Sequence, residues 1–275
     1  MCQVLNIQRS GLYAWLKQPH SGRTLEDNRL LGLIKHSWLE SGCVYGYRKV
    51  TSDLKDLGER CSKNRVARLM KQETLSAQVG YRRRKGHYHG KPAVVAPNHL
   101  NQQFDVAAPN QVWVTDITYI RTHEGWLYLA AVIDLFSRQV VGWSLQSHMQ
   151  ASLVKDALTM AWWRRRPPPG LIFHSDRGSQ YCSHEVQGAL KDWGMRSSMS
   201  RKGNCWDNAP KESFWGRLKT ASVHGCKFAT REQARQAVMD WMAFYNHRRL
   251  HSSLGYLSPM QYEQRWYEAQ RKKAA

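Results

Sequence analysis

The sequence predicts two unlike parts, a small all-helical domain and, after it, an α/β domain. Three observations lead there. Apolar residues recur at helical intervals up to about residue 72. A basic, proline-containing stretch without periodicity follows. Beyond residue 105, runs rich in β-branched and aromatic residues alternate with helical patterns in the order β-β-β-α-β-α-β-α-α. We divide the 275 residues into a helical domain at 1–80, a linker at 81–104, an α/β domain at 105–265 and a basic tail at 266–275.

In the first part the apolar positions fall in three groups: Leu30, Leu33 and Ile34; Val50, Leu54 and Leu57; Val66, Leu69 and Met70. Spacings of three and four put each group on one face of a helix, and Gly42, Gly46 and Gly58 separate them. Helices are expected near 25–40, 46–57 and 62–72. The segment YRRRKGHYHGK from Tyr81 to Lys91 is basic and aperiodic, and Pro92, Pro97 and Pro109 follow it, which is linker composition.

The second part opens with VWVTDITYI at 112–120, WLYLAAVID at 126–134 and RQVVGWSL at 138–145. Short polar turns between them predict an antiparallel meander. A helical pattern at 151–165 is stopped by Pro167, Pro168 and Pro169, and the short apolar run LIFH at 171–174 reads as a strand. Helices near 183–193, 209–222 and 230–246 complete the domain, with a short strand near 195–199.

Charge and composition narrow the function. Lys and Arg number 41 against 21 Asp and Glu, a net charge of +20 with pI near 10.0, which asks for a polyanionic partner. The N-terminal 104 residues are the denser cation, with 18 Lys/Arg against 7 Asp/Glu. No apolar run approaches the roughly 18 residues that span a bilayer, and the first twenty residues lack the apolar core of a secretory signal. A soluble, intracellular protein is expected. The six cysteines stand apart without a C-x-x-C pair, which excludes a disulfide scaffold and a sequence-evident zinc site, and are read as reduced thiols.

Along the first strand Val112, Val114, Asp116, Thr118 and Ile120 share one face, so Asp116 interrupts an otherwise buried row. A buried carboxylate needs a cation, a set of donors or a metal; a turn-capping or ion-paired aspartate meets the same need. Asp176 stands directly after LIFH, where open α/β sheets expose functional groups, although an Asx turn before Arg177 and Gly178 would also explain it. Glu212 lies early in the helix near 209–222, which Asp207 or Asn208 would cap with Pro210 in its first turn. Glu212 and Lys219 are seven apart and share one face; Phe214 and Leu218 occupy the opposite, apolar face. Two aspartates and a glutamate repel one another if bare and together form a hard-oxygen site for Mg²⁺ or Mn²⁺. Two such ions serve phosphodiester chemistry without a covalent intermediate.

Thirty-five residues separate Asp176 from Glu212. That spacing, with the segments VWVTDITYI, AVIDLFSR, HSDRGSQY, KGNCWDNAPKESFWGRLK and YNHRRLHSSLGYLSP, resembles the D, D-35-E transposases and integrases of the retroviral integrase superfamily. Within it, the chain resembles the OrfB-type transposases of the insertion sequence three family over about residues 25 to 265. The resemblance implies an RNase H-like core, a mixed five-stranded sheet with flanking helices, behind a helix-turn-helix-like domain. It implies Asp116, Asp176 and Glu212 as catalytic metal ligands for two Mg²⁺ or Mn²⁺ ions, and Lys219 as a contact to transposon-end DNA. It further implies nicking at terminal repeats, 3′-hydroxyl strand transfer through a copied-out circular intermediate, and a cytoplasmic, nucleoid-associated protein. The implied partners are DNA, an upstream-frame OrfA-type protein or fusion, and at least one further copy of the chain. Lys211 departs from the smaller or apolar residue expected before the glutamate, and MCQVLNIQRSGLYAWLK looks like the start of a downstream-frame product.

The segment YGYRKV at 45–50 resembles the second helix-turn-helix region of this family, so Arg48, Lys49, Lys63 and Arg65 are candidate phosphate contacts. A solvated basic helix face is the bland alternative for each. Arg248, with Tyr245, His247 and Arg249, is a further candidate DNA contact. His87, Tyr88 and His89 match the metal pair of tyrosine-nucleophile nickases, but in an arginine-rich linker rather than a strand. Trp162 and Trp163 read as a helix end rather than a base-stacking platform. The competing function is a DNA-binding or regulatory protein that keeps the fold and does no chemistry.

Overall fold

The computed structural model describes residues 8–78, 96–101, 103–201, 209–223 and 225–274, with the side chains of 209–211 excepted. The chain forms two compact units, one ending at Gln78 and the other comprising the described residues from 96 onward.

The first unit contains α1 (Arg9–Lys17), α2 (Gly22–Glu40), α3 (Tyr47–Asp56) and α4 (Lys63–Gln72). Three of these match the expected helices; α1 was not expected and buries no residue. Helix α2 starts earlier than its apolar pattern because the Ser21 side chain accepts from Thr24 N–H, satisfying a first-turn donor. Ser62 caps α4 through Arg65 N–H in the same way. Leu30 and Ile34 of α2 are buried, as are Val50 and Leu54 of α3 and Val66, Leu69 and Met70 of α4. Ion pairs brace this small core from outside. Asp27 receives Arg65 at 2.7 Å and Arg68 at 2.6 Å, Arg29 reaches Glu59 at 2.6 Å, and Lys35 reaches Glu73 at 2.6 Å.

The second unit is built on five strands: β1 (Val112–Thr122), β2 (Gly125–Asp134), β3 (Val140–Gln146), β4 (Ile172–Ser175) and β5 (Arg196–Met199). Their order is β3-β2-β1-β4-β5, so β1 is central. The expected meander pairs antiparallel, and β4 and β5 add in parallel, each entered from a helical crossover. Helices α5 (Ala151–Arg165) and α6 (His184–Asp192) cover one face, over Trp113, Ala130, Val132, Val141 and Phe173. Helices α7 (Ala209–Leu218) and α8 (Arg231–His247) cover the other, over Val112, Val114, Leu129, Ala131 and Ile133.

Helix α5 lies close to the sheet because position 142 has no side chain. A β-carbon there would stand 2.2 Å from the Ala157 carbonyl oxygen and 2.7 Å from Ala161 N.

Two parts of the sequence division change in the structure. The stretch 266–275, set apart as a tail, continues helix α9 (Pro259–Ala274) through Ala274. Arg165 of α5 forms a bidentate pair with Glu263 of α9 and also donates to Gln139 at 2.6 Å, while Tyr262 and Trp266 pack on Phe136. At the other end of the unit, residues assigned to the linker pack on the sheet: Leu100 is buried, and His99 N–H donates to Ser198 Oγ at 2.9 Å. No described helix is long and apolar enough to cross a membrane.

Candidate active site

Alternation along β1 sets Asp116 on the face that carries Val112, Val114 and Ile120, the face covered by α7 and α8. The parallel partner β4 is in register with Val114 opposite His174; two residues further along each strand stand Asp116 and Asp176. Asp116 thus lies on the central strand just past its last pairing with β4, and Asp176 directly follows the last residue of β4, Ser175.

Each aspartate is oriented by a neutral donor. The Trp215 indole Nε1–H donates to Asp116 Oδ2 at 3.0 Å, and Gly178 N–H donates to Asp176 Oδ1 at 2.9 Å. The Asx turn that offered a purely structural explanation of Asp176 is therefore present, and Arg177 Nε, donating to the Ser200 carbonyl at 2.8 Å, ties that turn to the end of β5. Hydrogen bonds of this kind point a carboxylate without discharging it.

Tyr181 is buried in the core beneath α5 and α6, on the sheet face opposite Asp116, its hydroxyl 3.3 Å from Thr115 Oγ1. Burial, followed by the charges of Asp116 and Asp176, pushes its phenol well above the usual range. Both carboxylates therefore lie within electrostatic reach of one group.

Glu212 is exposed in the first turn of α7. Phe214 and Leu218 are buried as expected, and so is Trp215. Trp215 lies three residues beyond Glu212, on a neighbouring helix position, so its bond to Asp116 draws that side of α7 toward β1. Among the described residues, no three His, Cys, Asp or Glu side chains are gathered closely enough to hold a metal ion. The carboxylate oxygens of the two aspartates are hard donors, of the kind that Mg²⁺ and Mn²⁺ take.

Lys219 stands where α7 gives way to a π-type turn, and its Nζ lies 5.4 Å from the centre of the Tyr119 ring. In the first unit Arg48 is exposed and lies against Tyr47, Lys49 sits over the Tyr45 ring at 5.0 Å, and Arg65 is engaged with Asp27. Arg248 and His247 are exposed at the end of α8. Tyr245 and Arg249 are buried, which corrects their reading as a DNA-facing group: the Tyr245 ring packs on Phe214 and Trp241. Trp162 stacks on Trp193 at 5.0 Å, as a helix-end packing residue would. His87, Tyr88, His89, Asp207 and Asn208, and the side chain of Lys211, lie outside the described residues.

Sequence reasoning passed over Trp215 and Tyr181. A signal existed for the first: a Trp on the buried side of a helix needs an acceptor for its N–H, and Asp116 is the carboxylate set into the facing strand.

Integrase core domain models match residues 106–205 and 193–259, and an HTH-like domain model matches residues 25–85. The fold is an integrase catalytic core accompanied by an N-terminal helix-turn-helix-like domain. The chain is 42% identical to the insertion element IS600 uncharacterized 31 kDa protein of Shigella sonnei, covering 98% of this chain and 99% of that protein. It is also 42% identical to the transposase InsF for insertion sequence IS3A of Escherichia coli strain K12, over 96% of this chain and 92% of that one. A simian T-cell lymphotropic virus intasome, solved in complex with PP2A regulatory subunit B56 gamma, contains a chain of like fold. The TM-score is 0.50 at 16% identity, over 83% of this chain and 72% of that one. The chain belongs to the IS3 family of insertion-sequence transposases.

Proposed function

We propose that the chain cuts DNA at the ends of a mobile element and joins the freed 3′ hydroxyl to a second phosphodiester, by way of a copied-out circular intermediate. In this reading Asp116, Asp176 and Glu212 would hold two Mg²⁺ or Mn²⁺ ions. The observation that supports it is the parallel pairing of β1, which carries Asp116, with β4, which Asp176 directly follows, together with the Trp215 bond from α7, the helix of Glu212, to Asp116. Divalent ions bound there would polarise the phosphodiester and make the attacking hydroxyl more acidic.

The chain's own residues prepare that site. Trp215 and Gly178 each hold one carboxylate oxygen, so neither aspartate has to be oriented during the reaction.

DNA is the partner, and Lys219 is the contact nearest the chemistry. Arg48 and Lys49 on α3 and Arg248 at the end of α8 would meet other phosphates. Arg65 serves the fold first, through Asp27, and adds to the positive field. The working assembly pairs at least two copies with an OrfA-type segment, in the cytoplasm and on the nucleoid.

The test is a strand-transfer assay on labelled terminal-repeat DNA with Mg²⁺ or Mn²⁺, comparing the chain with Asp116→Asn. Metal-dependent joined products are expected from the parent and none from the variant, with DNA binding nearly unchanged. A variant that still cleaves would remove Asp116 from the site. If the parent binds without cleaving, even with the OrfA-type polypeptide added, the chain is a binding protein.

A further inference from the structure

Beyond Asp116 the central strand leaves the cover of its parallel neighbour. Pairing of β1 with β4 runs through Val114 and His174, and β4 ends at Ser175. Strands β1 and β2 continue as a ribbon to the pair Thr122 and Gly125. On this ribbon Tyr119 faces Tyr128 across the ladder and Arg121 faces Trp126, so all four share the face opposite Asp116.

Two of these rings stand in water. Tyr119 is 39% exposed and Trp126 44%, and they meet edge to face at 5.1 Å. The same unit buries Trp113, Trp215 and Trp241. Cations surround the exposed pair: Arg121 is exposed beside it, Arg231 Nε donates to the Trp126 carbonyl at 3.2 Å, and Lys219 Nζ approaches the Tyr119 ring to 5.4 Å. Lys219 follows a helix packed on the Asp116 face, yet its ammonium reaches a ring rooted on the other face. The uncovered edge of β1 joins the two sides.

We propose that Tyr119 and Trp126 form a stacking platform for an unpaired nucleotide of the DNA strand that flanks the scissile phosphate. The inference rests on the proposed function and extends it. Tyr119 is three residues from Asp116, roughly 10 Å along a strand. That distance is about three steps of a stacked strand at 3.4 Å each, and fewer where the strand is extended. Aromatic faces take any base, since every base has a π-face, and the surrounding cations suit the connecting phosphates. A duplex interior offers no base face to stack, so the platform selects a strand that is open near the cut.

The test uses the full chain and a fluorescein-labelled terminal-repeat duplex with three unpaired flanking nucleotides, beside the same duplex fully paired. Trp126→Ala and Tyr119→Ala should each weaken binding to the open probe about fivefold or more, with little change on the paired probe. Trp126→Phe should retain most of the affinity. The salt dependence of Kd should keep its slope in Trp126→Ala, because no cation is lost. Equal binding of parent and both alanine variants to the open probe would overturn the proposal, as would an equal loss on both probes. Cleavage by Asp116→Asn on the open probe is scored separately: it would sink the metal-ligand reading while leaving the platform to be judged by affinity alone.

Discussion

The indole N–H of Trp215 donates to Asp116 at 3.0 Å, so a helix residue from one cover of the sheet holds a carboxylate on its central strand. The bond has two ends with separate uses: one orients Asp116, and the other fixes the turn of α7 that carries Glu212. Trp215→Phe keeps the ring and removes the donor. A loss of about 1.5–3 kcal/mol in stability is expected, as for a hydrogen bond to a charged group. Strand transfer should need several-fold more Mg²⁺ to reach half its maximal rate. A Mg²⁺ titration that superimposes on the parent's would show that the bond serves packing alone.

Glycine positions predict opposite signs for one substitution. At Gly142 an added β-carbon meets the backbone of α5 at 2.2 Å, which side-chain motion cannot relieve. Gly142→Ala should cost about 2–3 kcal/mol through overpacking. Gly32 lies within α2 with open space around it, and Gly32→Ala should stabilise by about 0.5–1 kcal/mol. Thermal melts of the two variants, read beside the parent, check both.

The ion pair of Arg165 with Glu263 is largely shielded from water, the side chains being 15% and 7% exposed. Removing one partner leaves the other charge buried. Glu263→Ala should therefore destabilise by about 3 kcal/mol or more, whereas replacing both residues with apolar ones of similar size should recover most of that loss. Urea unfolding of the single and double variants decides it; a single variant as stable as the parent would refute a role for the pair in holding α9.

The helical unit should be acid-sensitive. Hydrogen bonds from Arg68 and Arg65 hold the Asp27 carboxyl below its ordinary value, and Arg29 does the same for Glu26 and Glu59. A carboxylate whose pKa is depressed by folding contributes stability above its unfolded pKa, near 4. That contribution is lost as pH falls through the lower folded value. Asp27→Asn should thus be less stable than the parent at pH 7, and the gap should close as pH falls through the depressed folded value of Asp27. A gap independent of pH would mean that Asp27 acts through shape and not charge.

Much of this architecture could be read from the chain because the information is local. Leu30, Ile34, Val50, Leu54, Val66 and Met70 repeat at the period of a helix, and the cores they form are the ones observed. Alternation along 112–120 placed Asp116 on a buried face, and the triprolyl stop placed the end of α5 at Arg165. Helix α9 was missed because its residues are mostly polar and its anchors, Arg165 and Phe136, lie about a hundred residues away in the chain. Tyr245 was misjudged because a Tyr beside cations looks solvent-facing until Phe214 and Trp241 are packed against it.

The sequence by itself determined the order of elements, the excess of positive charge, the family and which acids to consider, since residue type, period and spacing all act along the chain. Only the tertiary structure decided that β4, which Asp176 follows, lies beside β1, which carries Asp116. It alone decided that Trp215 reaches Asp116, and that Arg65 is spent on Asp27. Those relationships join residues 38 to 99 positions apart, as for Arg65 with Asp27 and Trp215 with Asp116. No local pattern specifies such partners; they are set by which faces must pack together to leave water.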